Sequence, residues 1–184
     1  AFATQAAALA GVTTPVCEIK GTITSNVTLT SDIAWALAGK VTVGNDNANS
    51  ATITIQPGTK VFGKSGADYL VIARGSKIQA VGTATSPIIM TSVNDMLGLS
   101  DNESAAEWGG LVLLGKGSYN KTSGVANIEG IATSADTQYG GGLTPDDTDN
   151  SGSLKYVRIE FPGYELAVDK EINGLTFGGV GRGR

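Results

Sequence analysis

The run Asp147-x-Asp149-x-Ser151-Gly152 places oxygen-bearing side chains at alternate positions ahead of a glycine. A calcium loop begins in this way, because the turn folds carboxylate and carbonyl oxygens around one hard cation. A complete helix–loop–helix site also needs a bidentate glutamate at the twelfth position, where this chain has Arg158. Asp146, Asp136 or a backbone oxygen would have to complete the shell. The same residues also read as an acidic, solvated loop with Asx turns. Calcium is the cofactor the sequence suggests, with Asp146, Asp147, Asp149 and Ser151 as its candidate ligands.

Glu160, Glu165, Asp169 and Glu171 form a second acidic group. Glycoside cleavage needs two carboxyl groups about 5–9.5 Å apart, one as acid and one as base or nucleophile. Nothing in the spacing selects such a pair, and Arg158-Ile159-Glu160 alternates as the outer face of a strand does. No catalytic residue is therefore assigned, and the chain is expected not to be an enzyme. Trp35, Trp108, Tyr119, Tyr139, Tyr156 and Tyr164 offer rings on which a sugar could stack. Trp108, beside two glycines, suits a packed corner better. Asn26, Asn102 and Asn120 head glycosylation sequons, a frequency a Thr/Ser-rich chain reaches by chance.

Composition removes other chemistries. The 184 residues include no histidine, so no Ser-His-Asp triad, Cys-His pair or His-ligated metal can be built from this chain. Cys17 is the single cysteine, which rules out an intrachain disulfide framework. It reads as a small, partly buried apolar residue, since Thr14-Pro15-Val16 does not resemble a lipobox. Net charge is −4, and Arg158, Arg182 and Arg184 do not form the clustered positive footprint that nucleic acid requires. No apolar run reaches the roughly 18–20 residues of a membrane-spanning helix.

The elements that would hold these residues are short strands. Val27-Thr28-Leu29-Thr30, Val41-Thr42-Val43 and Ile53-Thr54-Ile55 alternate apolar and polar. Leu70-Val71-Ile72, Ile88-Ile89-Met90, Leu111-Val112-Leu113-Leu114, Val157-Arg158-Ile159 and Leu175-Thr176-Phe177 are brief apolar runs, too short for helices. With 26 glycines as punctuation, the options are a sandwich or barrel and a solenoid. An internal repeat favours the solenoid. Ile53-x-Ile55-x-x-Gly58-Thr59-Lys60-Val61 recurs as Leu70-x-Ile72-x-x-Gly75-Ser76-Lys77-Ile78, an offset of 17 residues (75 − 58), read as the period of successive coils. Asn173-Gly174 is the one hairpin-type dipeptide.

The expected organisation is a single all-β domain over 1–184. Residues 1–20, with the Ala-rich Phe2–Val12 stretch, form a short N-terminal helical cap. Two irregular loop insertions span 94–107, with a helix-friendly patch at Ser104–Glu107, and 117–153. Length fits one core.

Several stretches carry a family resemblance. They are Ala51–Thr59, Leu70–Gly75, Ala80–Thr83, Ser86-Pro87-Ile88, Glu107-Trp108-Gly109-Gly110-Leu111-Val112-Leu113-Leu114-Gly115 and Leu154–Phe161. Over residues 21–180 the chain resembles bacterial cell-surface proteins built as a right-handed parallel β-helix. The resemblance implies an exported solenoid at the outer cell surface or in the extracellular matrix, and it implies no activity. Such proteins continue for more coils beyond Glu171–Gly179, whereas this sequence stops at Arg184. An uncapped coil exposes strand edges, and head-to-tail copies would build an open filament. The expected function is structural or adhesive, with self-association or a surface glycan as partner. The alternative is a β-helix that binds or cleaves polysaccharide.

Overall fold

A computed structural model describes residues 4–5, 9–46, 48–168 and 170–182. The chain winds into a parallel β-helix whose strands stack on three faces. β1 (Thr4–Gln5) runs antiparallel along the edge of β2 (Val16–Ile23), which opens the first coil with β3 (Val27–Leu29). The next coil comprises β4 (Ala34–Val43) and β5 (Thr52–Ile55). It is followed by β6 (Lys60–Gly63), β7 (Tyr69–Ile72) and β8 (Lys77–Val81). β9 (Ile88–Ser92) leads into the single-turn helix α1 (Val93–Met96), then β10 (Gly110–Leu114). A long excursion holds β11 (Ala126–Asn127) and β12 (Gln138–Tyr139) before β13 (Gly152–Lys155) returns to the helix. β14 (Val157–Ile159), the hairpin β15 (Glu165–Ala167) and β16 (Lys170–Glu171), and β17 (Leu175–Gly178) complete the chain.

The first half of β4 stacks on β6, β9 and β14 in turn, and its second half on β7, β10 and β17. The third face is β3, β5, β8 and β13. Every step in these ladders is parallel, which places like side chains above one another. Ile19, Leu37, Val41, Ile53, Ile55, Leu70, Ile72, Ile78, Leu111 and Leu113 join one buried interior cluster. Each such side chain contributes about 1.5–3 kcal/mol by leaving water.

The 17-residue repeat marks a corner and not a coil. Ile53 pairs with Ile78, 25 residues on (78 − 53), and Val41 pairs with Leu70, 29 residues on (70 − 41). The repeated motif instead covers two bends either side of β6 and β7, from β5 to β6 and from β7 to β8. Gly58 and Gly75 turn these two corners with φ of +79° and +81°, a region glycine enters without steric cost. The recurrence is therefore real local chemistry at two different edges of the solenoid.

Why some strands are apolar without alternation is also visible. Leu70 and Ile72 point inward, while Val71, Val112 and Leu114 belong to a second cluster on the outer side with Ile128, Ile131 and Ile172. A strand covered on both sides reads as a continuous apolar run. The 117–153 segment is thus a packed cover over the β7–β10 face. On the neighbouring face, Ala34, Ala36 and Phe62 are covered by Leu9, Val12, Val93 and Met96.

Two helical expectations fail. None of the described residues in 1–20 is helical: Thr4–Gln5 pair as a strand with Cys17 and Glu18, and Val16–Ile23 form β2. Residues 1–3 and 6–8, which hold most of the alanines behind that expectation, lie outside the described residues. Ser104–Glu107 is not helical either, with Ala106 at φ +56°. The helix sits at Val93–Met96, where the Ser92 hydroxyl caps the Asp95 N–H at 3.1 Å, as an N-cap serine does. The 94–107 insertion accordingly begins inside α1.

Candidate functional site

The long excursion after β10 is pinned to the solenoid by charged side chains. The Arg74 guanidinium donates to both oxygens of Asp46, at 2.6 and 2.8 Å, to the Gly140 carbonyl at 2.7 Å and to Gln138 at 3.3 Å. The Lys40 ammonium reaches Asp136 at 3.1 Å. Burial opposes ionisation of Asp136, but the Ser134 hydroxyl and then Lys40 hold its carboxyl below its ordinary value. Within the segment, the Thr137 hydroxyl donates to the Ala132 carbonyl and accepts from the Ser134 N–H, closing a tight bend. β11 and β12 pair antiparallel, with Ala126 opposite Tyr139.

These anchors set Tyr139 edge-on to Tyr119, with ring centroids 5.2 Å apart and planes at 81°, a favourable aromatic geometry. Burial, and next the Tyr119 hydroxyl, raise the Tyr139 phenol above its ordinary value. Between this pair and β16–β17 opens a cleft of about 600 Å³. Tyr119 and Tyr139 supply its rings, Glu129 and Glu171 its carboxylates, and Asn127 and Asn173 its amides. An adjoining cleft of about 610 Å³ shares Ile128 and Glu129 and extends toward Leu166 and Lys170. Each falls in the size range of small-molecule sites, about 300–1,000 Å³.

Of the aromatic residues singled out by sequence, only Tyr119 and Tyr139 reach this cleft. Trp35 and Trp108 are buried in the solenoid interior, and the Trp108 indole N–H donates to the Glu160 carbonyl at 2.8 Å. Tyr156 and Tyr164 are exposed elsewhere. Phe177 was not among the expected residues. It aligns with Leu113 in the β10–β17 register yet remains 55% exposed. Glu129 and Asn127 were missed too. No local motif marks them, because the cleft is assembled by residues some fifty positions apart.

The carboxylates of the second acidic group separate. Glu160 pairs with Arg158 at 2.6 Å. Glu165 and Glu171 stand directly opposite each other across β15 and β16, and Asp169 lies outside the described residues. Glu171 alone of these lines the cleft.

The Asp-x-Asp-x-Ser-Gly run is held by protein donors. Asp146 Oδ1 accepts from the Thr148 N–H at 2.9 Å and its hydroxyl at 2.6 Å, and Asp147 Oδ1 accepts from the Ser118 N–H at 2.7 Å. Asp149 Oδ2 accepts from the Lys116 N–H at 2.9 Å. Asp136 is engaged with Lys40. Ser151 is 8% exposed, and its hydroxyl has no hydrogen-bond partner among the described residues. Among the described residues, no three acidic or sulfur side chains gather where a metal ion could sit. The glycine of the run has its own cause: a Cβ on Gly152 would lie 1.8 Å from the Ile78 carbonyl oxygen. Glycine is what allows the backbone back onto β8. Cys17 is a free, partly buried thiol in β2. Among the described residues, no helix is long and apolar enough to cross a membrane.

A family model for a pectate-lyase-like beta helix domain matches residues 21–184. No curated protein matches the chain, and no solved structure does. The chain belongs to the pectate-lyase-like β-helix family.

Proposed function

From that membership and the cleft geometry, we propose that this chain is a glycan-binding interaction module of the cell exterior, not a glycan-cleaving one. The observation that carries this is the lining of the cleft, where two aromatic side chains, two amides and two carboxylates converge on one face of a rigid solenoid. Aromatic faces take the C–H side of a sugar ring, and amides and carboxylates take its hydroxyls. Binding is favoured over cleavage because Glu129 and Glu171 are both exposed. A general acid needs an environment that keeps its carboxyl protonated near neutral pH, usually by burial.

The test is affinity electrophoresis and calorimetry against soluble polysaccharides, comparing the native chain with Tyr139→Ala and Tyr119→Ala. We expect binding by the native chain and a loss of about fivefold to tenfold in each variant, the worth of one stacked ring. Retained affinity in both variants would remove the cleft from the interaction. Release of reducing ends or unsaturated products by the native chain would replace binding with catalysis.

End-to-end self-association is a second reading, carried by strand edges. β13, β14 and β17 each stand at the end of their sheet with one side unpaired among the described residues. Exposed edges recruit further strands. At the opposite end β1 covers β2 at Cys17 and Glu18, so a head-to-tail contact there has to displace or extend β1. Concentration-dependent oligomers in light scattering are expected, with regular rods by electron microscopy. A monodisperse monomer at high concentration would exclude this reading.

A further inference from the structure

The charge of the cleft points beyond glycan binding to a choice among glycans. Among the described residues its ionisable carboxyl groups are Glu129 and Glu171, and no lysine or arginine lines it. Nearby cations are engaged elsewhere. Lys40 is bound to Asp136, and Arg74 is bound to Asp46, Gly140 and Gln138. Lys170 is the basic side chain of the adjoining cleft, beyond Glu129.

Resting on the glycan-binding reading above, we propose that this cleft ranks polysaccharides by charge: amino-sugar polymers first, neutral polymers next, polyuronates last. A polyuronate brings a carboxylate on every ring to a wall that offers carboxylates and no counter-cation. An ammonium-bearing ring meets the opposite situation. Like-charge contact raises the cost of docking, and a concave wall focuses the field. Asn127 and Asn173 bind hydroxyls whatever the polymer's charge, so the carboxylates set the order.

The experiment is calorimetry at low ionic strength and slightly acidic pH, using glucosamine, glucose and galacturonate oligomers of equal length. It uses the native chain and the double variant Glu129→Gln/Glu171→Gln. In the native chain, affinity is expected to fall in that order by about threefold to tenfold per step, the scale of exposed ion pairs. In the double variant the glucosamine-to-galacturonate ratio should shrink to within about twofold. Raising salt should compress the same ratio in the native chain, a measurement that stands even if the variant misfolds. Galacturonate bound as tightly as glucose by the native chain would overturn the charge ranking and leave glycan binding in place. Failure of all three oligomers to bind would overturn the glycan reading and the ranking with it.

Discussion

Residues 34–81 and residues 93–151 solve the same problem by different means. In the first region strand follows strand through short corners, and each coil is buried by the coil above and below it. In the second, the chain leaves the ladder twice and is held back against it from outside. There, a few apolar side chains and polar links do the holding: Ile128, Ile131, the Arg74 hydrogen bonds to Gly140 and Gln138, and the Lys40–Asp136 ion pair. The stacked region is cooperative because every residue touches equivalents on two sides. The cover is stable only where specific side chains reach it. A binding surface belongs on such a cover, since loops can carry function while the scaffold stays fixed.

Trp108→Ala is the largest test of that contrast. The indole is buried in the stack and its N–H is satisfied by Glu160. Its loss should cost about 3–5 kcal/mol, with both regions melting together in a single transition. A loss below about 1 kcal/mol would mean the stack is not the cooperative unit.

Arg74→Met should separate the regions. It strips a mostly buried guanidinium from Asp46, Gly140 and Gln138, at a cost of about 3 kcal/mol. Hydrogen exchange is expected to quicken across 117–150 while 34–81 keeps its protection. Uniform quickening in both would show that the cover and the stack unfold as one.

Acid offers a milder probe of the same seam. The Asp136 carboxyl is held below its ordinary value of 3.8, so its contribution is present above that value and is lost as pH falls through the lowered folded value. The cover should therefore loosen only in strong acid, below about pH 4. Asp136→Asn should remove that step from a pH series of peptic cleavage in 117–150. An unchanged acid profile in the variant would assign the step to another group.

The smallest expected effect is that of calcium. Asp146, Asp147 and Asp149 already accept from backbone or hydroxyl donors. Millimolar calcium should then move the melting midpoint by less than about 1 °C, because weak ligands stabilise little. A rise of several degrees would restore a cation to that loop.

How much of this was written locally follows from the residues concerned. Ile53-Thr54-Ile55 and Leu70-Val71-Ile72 announced strands, and Gly58 and Gly75 announced corners, because alternation and φ > 0 are properties of a few neighbouring residues. The coil length was not legible, since excursions of unequal length erase any fixed period: Leu70 pairs with Leu111, 41 residues on (111 − 70), but Ile53 with Ile78, 25 on. The cleft was hidden for a related reason. Tyr119 and Tyr139 are visible as aromatics, yet nothing local places Glu129 and Glu171 beside them. The alanines before Val12 suggested a helix because propensity is local, whereas the pairing of Thr4–Gln5 with β2 is not.

The re-entry at Gly152 gives the molecule an interchangeable part. The ladder pauses at Leu114 and resumes opposite Ile78 with its register intact, so the rod keeps no record of how long the intervening text was. What lies between those two points can lengthen, shorten or be replaced without shifting a single stacked pair. The terms are that Gly152 stays glycine, that the newcomer brings apolar side chains to lay over Val71 and Val112, and that it supplies acceptors for Arg74 and Lys40. A lineage, or an engineer, could rewrite the recognition surface on this cassette while the frame that presents it goes on folding unchanged.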